Sequence, residues 1–168
     1  MKNILICTFT IFILSNCKND KQYFNYNKLE HYHIDIVEDK VFALDRKKSK
    51  KQAILTELLI EYTPDTLSEI SILNGIEKIG YKKKEILTNK FESINKIFCE
   101  KIGLGFNEEM SCIAIYRDVL VFKNNNKIVG VAKLCFDCQQ FIITGTNKNT
   151  ANFGESGDFN ELYSILNP

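Results

Sequence analysis

The feature that most constrains this chain is a change of hydrophobic period near Cys112. Ahead of it, apolar residues recur every three or four positions; behind it, they alternate or run continuously. Such patterning predicts helices in the middle of the chain and an antiparallel meander late, an α+β fold. Three central helices are expected from their caps. Ser49 stands three residues before Gln52, the spacing of a capping box, and Ile54, Leu55, Leu58, Leu59 and Tyr62 follow at helical intervals. Thr63-Pro64-Asp65 closes that segment, because proline lacks the amide hydrogen and biases its predecessor away from helix. Thr66 and Glu69 open a second helix, in which Leu67, Ile70, Leu73, Ile76 and Ile79 recur every three residues up to Gly80. A third is expected from Asn89 and Glu92 through Phe98, stopping at Gly103.

The late region reads as sheet. Ile113 to Lys123 is expected as one strand, Asn124-Asn125-Asn126 as a turn, and Lys127 to Phe136 as the returning arm. Val119, Leu120, Val121 and Phe122 are apolar on both faces, which predicts a central position for the first arm. Gln139 to Thr144 is expected as a third strand, and Asp158 with Glu161 as the cap of a short C-terminal helix reaching Leu166. Upstream, His31 to Leu44 alternates in part and is expected as a first strand or a pair of short strands.

A chain of 168 residues is long enough for one well-packed domain. With 22 Lys and Arg against 21 Asp and Glu, its charge balance argues against a nucleic-acid partner. Ile4 to Leu14, preceded by Lys2, has the make-up of the apolar core of a secretory signal. As a helix it would cover roughly 16 Å, too little for a hydrocarbon layer of about 30 Å.

Leu14-Ser15-Asn16-Cys17 follows at once and resembles the lipobox of bacterial lipoproteins: an aliphatic residue, two small residues and a cysteine. Asn16 stands where that family favours Gly, Ala or Ser. The resemblance implies that the chain is cut before Cys17, that Cys17 is acylated, and that a lipid bilayer is a partner. Lys18 stands where the inner-membrane retention signal of some bacteria has Asp, which implies an outer-membrane address. The expected organisation is a signal peptide over 1–16, a lipidated cysteine and tether over 17–30, and one α+β domain over 31–168. Loss of Lys2 with the signal leaves 21 basic against 21 acidic side chains, so overall charge steers no ligand.

Four cysteines remain in the body of the chain: Cys99, Cys112, Cys135 and Cys138. An even number in an oxidising compartment suggests disulfide pairing, with three possible connectivities. Cys135-Phe136-Asp137-Cys138 can bridge only if Asp137 helps make a turn, since a continued strand would hold the terminal Cα atoms about 10 Å apart. The pair could instead exchange disulfides, or the four thiols could bind zinc. His31 and His33, flanking Tyr32, share one strand face and could hold a metal with Glu30 or Asp35. Arg46-Lys47-Lys48-Ser49-Lys50-Lys51 and Lys82-Lys83-Lys84 read as solvated basic runs. Nucleotide-binding loops and H-E-x-x-H are absent from the sequence. The expectation is therefore a membrane-anchored, non-catalytic binding or protective module without a cofactor, its partner unidentified. The alternative is a thiol-dependent redox or zinc-binding protein using Cys135 and Cys138.

Overall fold

The computed structural model describes residues 21–103, 112–155 and 157–167; the export segment and Cys17 lie outside them. The fold is α+β. Its centre is a five-stranded antiparallel sheet in the order β2-β1-β3-β4-β5. The strands are β1 (Lys28–His33), β2 (Lys82–Glu85), β3 (Asp118–Asn124), β4 (Lys127–Cys135) and β5 (Gln140–Thr144). The helices are α1 (Glu38–Phe42), α2 (Lys50–Ile60), α3 (Phe91–Ile97) and α4 (Asp158–Leu166).

β3 occupies the middle of the sheet, as its two apolar faces require. Leu120 and Phe122 pack with Leu29, Ala132 and Leu134 beneath α3, α4 and the aromatic rings of Phe24, Phe98 and Phe153. Val119 and Val121 point to the other face, where Tyr32, Ile34 and Val131 meet Leu55, Leu58 and Leu59 of α2. Two separate apolar layers thus sandwich one sheet. The β3–β4 turn rests on Asn125 and Asn126, both in the left-handed region at φ 49° and 64°, where asparagine is tolerated. Asn27 clasps the turn, donating to Asn125 Oδ1 at 3.0 Å and accepting from the Asn125 amide at 3.1 Å.

The Ser49 hydroxyl accepts from the Gln52 amide at 3.2 Å and starts α2 as expected. Several expectations are corrected. The segment after Thr66 keeps its capping box but winds as 3-10 turns over Leu67–Leu73 and Ile76–Ile79, because its apolar spacing of three matches that tighter helix. The third helix ends at Ile97 rather than Gly103, since Cys99 leaves it to pair with Gln22 in an isolated antiparallel bridge. Only the first part of His31–Leu44 is strand; beyond Ile36 the chain turns into α1 and buries Val41. The late strand starts at Asp118, five residues after the expected Ile113. α4 begins after Gly157, and Asp158 binds the Gly154 amide at 2.9 Å and Lys101 instead of capping the helix.

The expected tether is corrected as well. From Lys21 onward it belongs to the domain: the Lys21 carbonyl accepts from Glu100 N at 2.8 Å, and Tyr23 and Phe24 are buried. Phe24 lies against Gly130, where any Cβ would stand 2.1 Å from its ring.

Candidate functional site

Alternation along β1 sends His31 and His33 to the face shared with Leu29, and Glu30 and Tyr32 to the opposite face. On the histidine side, His33 lies between Lys82 of β2 and Asp118 of β3, while His31 lies between Lys84 and Leu120. His31 Nε2 stands 2.7 Å from Asp118 Oδ1, and His33 Nδ1 stands 2.9 Å from the same oxygen. With Asp118 ionised, both nitrogens donate to it. His31 and Asp118 are buried, whereas the His33 side chain is 45% exposed. It opens onto a cleft of about 400 Å³ lined by His31, His33, Lys82, Lys83, Lys84 and the α4 end at Leu166 and Asn167. Lys84 Nζ donates to the Leu166 carbonyl at 3.2 Å and fixes the cleft's far wall.

The carboxylate expected beside the histidines is thus neither Glu30 nor Asp35. Asp35 is exposed beyond the end of β1. Glu30 is buried on the other face among Lys83 at 2.7 Å, Lys123 at 2.6 Å, Lys28 at 3.6 Å and the Tyr32 hydroxyl at 2.8 Å. Burial alone would raise its pKa, but the hydrogen bonds from Lys123, Lys83 and Tyr32 outweigh that and hold it down at about 2. Asp118 was out of reach of sequence reasoning because β1 and β3 come together only in the fold. The alternation of β1, by contrast, already separates Glu30 from the histidines.

Lys133 is a second buried ion. It projects from β4 under the end of α2, where Nζ donates to the carbonyls of Glu57 at 3.2 Å, Glu61 at 2.6 Å and Thr63 at 2.9 Å. Its ammonium lies 4.9 Å from the Tyr116 ring centre. Burial pushes it down to about 7 against the opposing charges of Glu61 and Glu57. It acts as a C-terminal cap for α2, an arrangement that spacing in the sequence does not announce.

The cysteines separate into two places. Cys112 and Cys138 form a disulfide with Cα atoms 5.9 Å apart. Phe136–Gln139 does turn, yet Cys138 pairs across to Cys112 rather than with Cys135. Cys135 is buried beside that bridge, its Sγ accepting from the Cys138 amide at 3.4 Å. Cys99 is buried at the end of α3, with Sγ 3.3 Å from the Lys96 carbonyl. A zinc set of all four thiolates is therefore not assembled: two of the sulfurs are bonded to each other, and Cys99 sits where the chain pairs with Gln22. Among the described residues, His31, His33 and Asp118 are the grouping whose ligand atoms converge, all within 4.8 Å of one another.

Lys82-Lys83-Lys84, expected as a solvated run, is the edge strand β2. Lysines on an edge deter strand addition by another chain. No helix among the described residues is long and apolar enough to cross a membrane. Compared with protein-family models, with curated proteins and with solved structures, the chain matches none.

Proposed function

We propose that this chain is a lipid-anchored protein of the bacterial cell envelope, held at the outer membrane by acylated Cys17, whose domain serves as a binding module. The observation that carries the reading is the Cys112–Cys138 disulfide in a chain that opens with an export signature. Such bonds persist in oxidising compartments, where a lipobox would deliver the domain. The cleft beside β2 supports binding, since it gathers two imidazoles and a run of lysines around one opening, with the Asp118 carboxylate hydrogen-bonded to both rings. Two or three acyl chains would suffice for stable anchoring, because each buried methylene contributes about 0.8 kcal/mol.

Intact mass of the native protein tests the anchor: residues 1–16 are lost and acyl mass is gained on Cys17. Cys17→Ser leaves the precursor uncut. Normal processing of that variant would sink the lipid reading.

A second reading, thiol-disulfide exchange, is favoured by the placement of Cys135. Its sulfur lines the same cleft of about 310 Å³ as Cys112 and Cys138. In such a step the Cys135 thiolate attacks Cys138 Sγ, a Cys135–Cys138 bond forms, and Cys112 departs as a thiolate that takes up a proton. Alkylation followed by peptide mass mapping distinguishes the two states: label confined to Cys135 and Cys99 means a static bridge, and label appearing on Cys112 means exchange.

A further inference from the structure

We infer that His31, His33 and Asp118 form a binding site for one divalent transition-metal ion of the zinc class, open on one side to the cleft beside β2. The inference goes beyond membrane anchoring and does not depend on it.

The three ligand atoms come from two neighbouring strands of a hydrogen-bonded sheet, so their spacing is set by strand register rather than by a loop. His33 Nδ1 and His31 Nε2 both converge on Asp118 Oδ1, at 2.9 and 2.7 Å. Ligand atoms about 2.0–2.2 Å from one zinc ion stand roughly 3–4 Å apart, so only small rotations separate the present geometry from coordination. The exposed His33 ring is free to supply the larger one. In coordination each imidazole presents a lone pair where it now faces Asp118, and the ion takes the place of the hydrogen bonds between ring and carboxylate. Two imidazoles and one carboxylate suit zinc, nickel or copper better than magnesium or calcium, which prefer oxygen alone.

Burial adds to the case. A carboxylate and an imidazole held in a dry corner keep their orientation without a ligand, so binding requires little ordering. Opposing it, Lys82 faces His33 across the β1–β2 pair and lines the same cleft. Its ammonium repels a dication, and its removal should therefore strengthen binding. That sign separates this site from adventitious attachment, where a distant lysine is irrelevant, and from a merely structural His–Asp contact.

The test uses the full-length protein in mild detergent, stripped with chelator and titrated with Zn²⁺ by calorimetry, with Co²⁺ absorption as a second readout. One ion per chain is expected. His33→Ala, checked by circular dichroism for a folded metal-free state because it also removes a partner of buried Asp118, should weaken binding at least tenfold and abolish the cobalt bands of a nitrogen-ligated site. Lys82→Gln should tighten binding roughly two- to sixfold at low salt. Absence of saturable binding, an affinity that His33→Ala leaves unchanged, or weaker binding in Lys82→Gln would each overturn the assignment. Cys17→Ser protein should give the same titration, so this inference and the lipid reading fail separately.

Discussion

Replacing Glu30 by glutamine isolates the electrostatics of one buried carboxylate while keeping its shape. Glu30 is 2% exposed and is met by three ammonium groups and a hydroxyl. Its pKa falls from 4.5 to about 2 on folding. A shift of that size corresponds to about 3 kcal/mol of stability at neutral pH. The sign follows from proton counting. Between pH 4.5 and about 2 the unfolded chain holds the proton and the native chain does not, so stability is fully present above that window and lost as the pH falls through it. Glu30→Gln should therefore unfold about 3 kcal/mol more easily at pH 7, a midpoint shift near 1.5 M in urea for a slope of about 2 kcal/mol per M. Urea is the right denaturant, because guanidinium would screen the charges under test. Comparison of the two proteins at each pH cancels the other carboxylates. By pH 2 the difference should have largely closed. A gap that is constant from pH 7 to pH 2 would mean that packing, and not charge, explains the role of Glu30.

Three further perturbations probe other parts of the fold. Lys133→Met leaves the Glu61 and Thr63 carbonyls without their donor and should cost about 3 kcal/mol, read as loss of amide protection at the end of α2. In the native chain the ammonium is pushed down to about 7, so stability should rise between pH 7 and about 10.5 as only the unfolded state keeps its proton; the methionine variant should lack that rise. Joint Cys112→Ser and Cys138→Ser changes open a loop of sequence separation 26 and should lower stability by about 3 kcal/mol, and reductant should shift the native protein equally while leaving the variant unmoved. Gly130→Val drives a side chain into the Phe24 ring and should destabilise by about 3 kcal/mol; adding Phe24→Ala should recover part of the loss in a double-mutant cycle.

What could be read from sequence was what neighbouring residues determine. The Ser49 cap, the asparagine turn and the apolar face of α4 each involve positions a few residues apart, and all three appear in the fold. The three-residue spacing from Leu67 to Ile79 was visible too, although it specifies a 3-10 winding rather than an α-helix. β2 was illegible because Lys-Lys-Lys-Glu has no apolar alternation; its strand character comes from pairing with β1. The candidate site divides in the same way. His31 and His33 were visible as a same-face pair, but Asp118 reaches them through a register between segments nearly ninety positions apart. Cys138 likewise chose a distant partner over its near neighbour, because the turn after β4 carries its sulfur toward the segment ahead of β3.

The pairing of β1 with β3 has a consequence for biosynthesis. Ribosomes release the amino-terminal end first, so Lys28–His33 is finished long before Asp118–Asn124, the neighbour on its inner side, exists. At roughly 5–20 residues per second, the early strand waits about 5–20 s with Tyr23 and Phe24 still uncovered. Throughout that interval the two rings lack the cover that Phe122 completes in the finished domain.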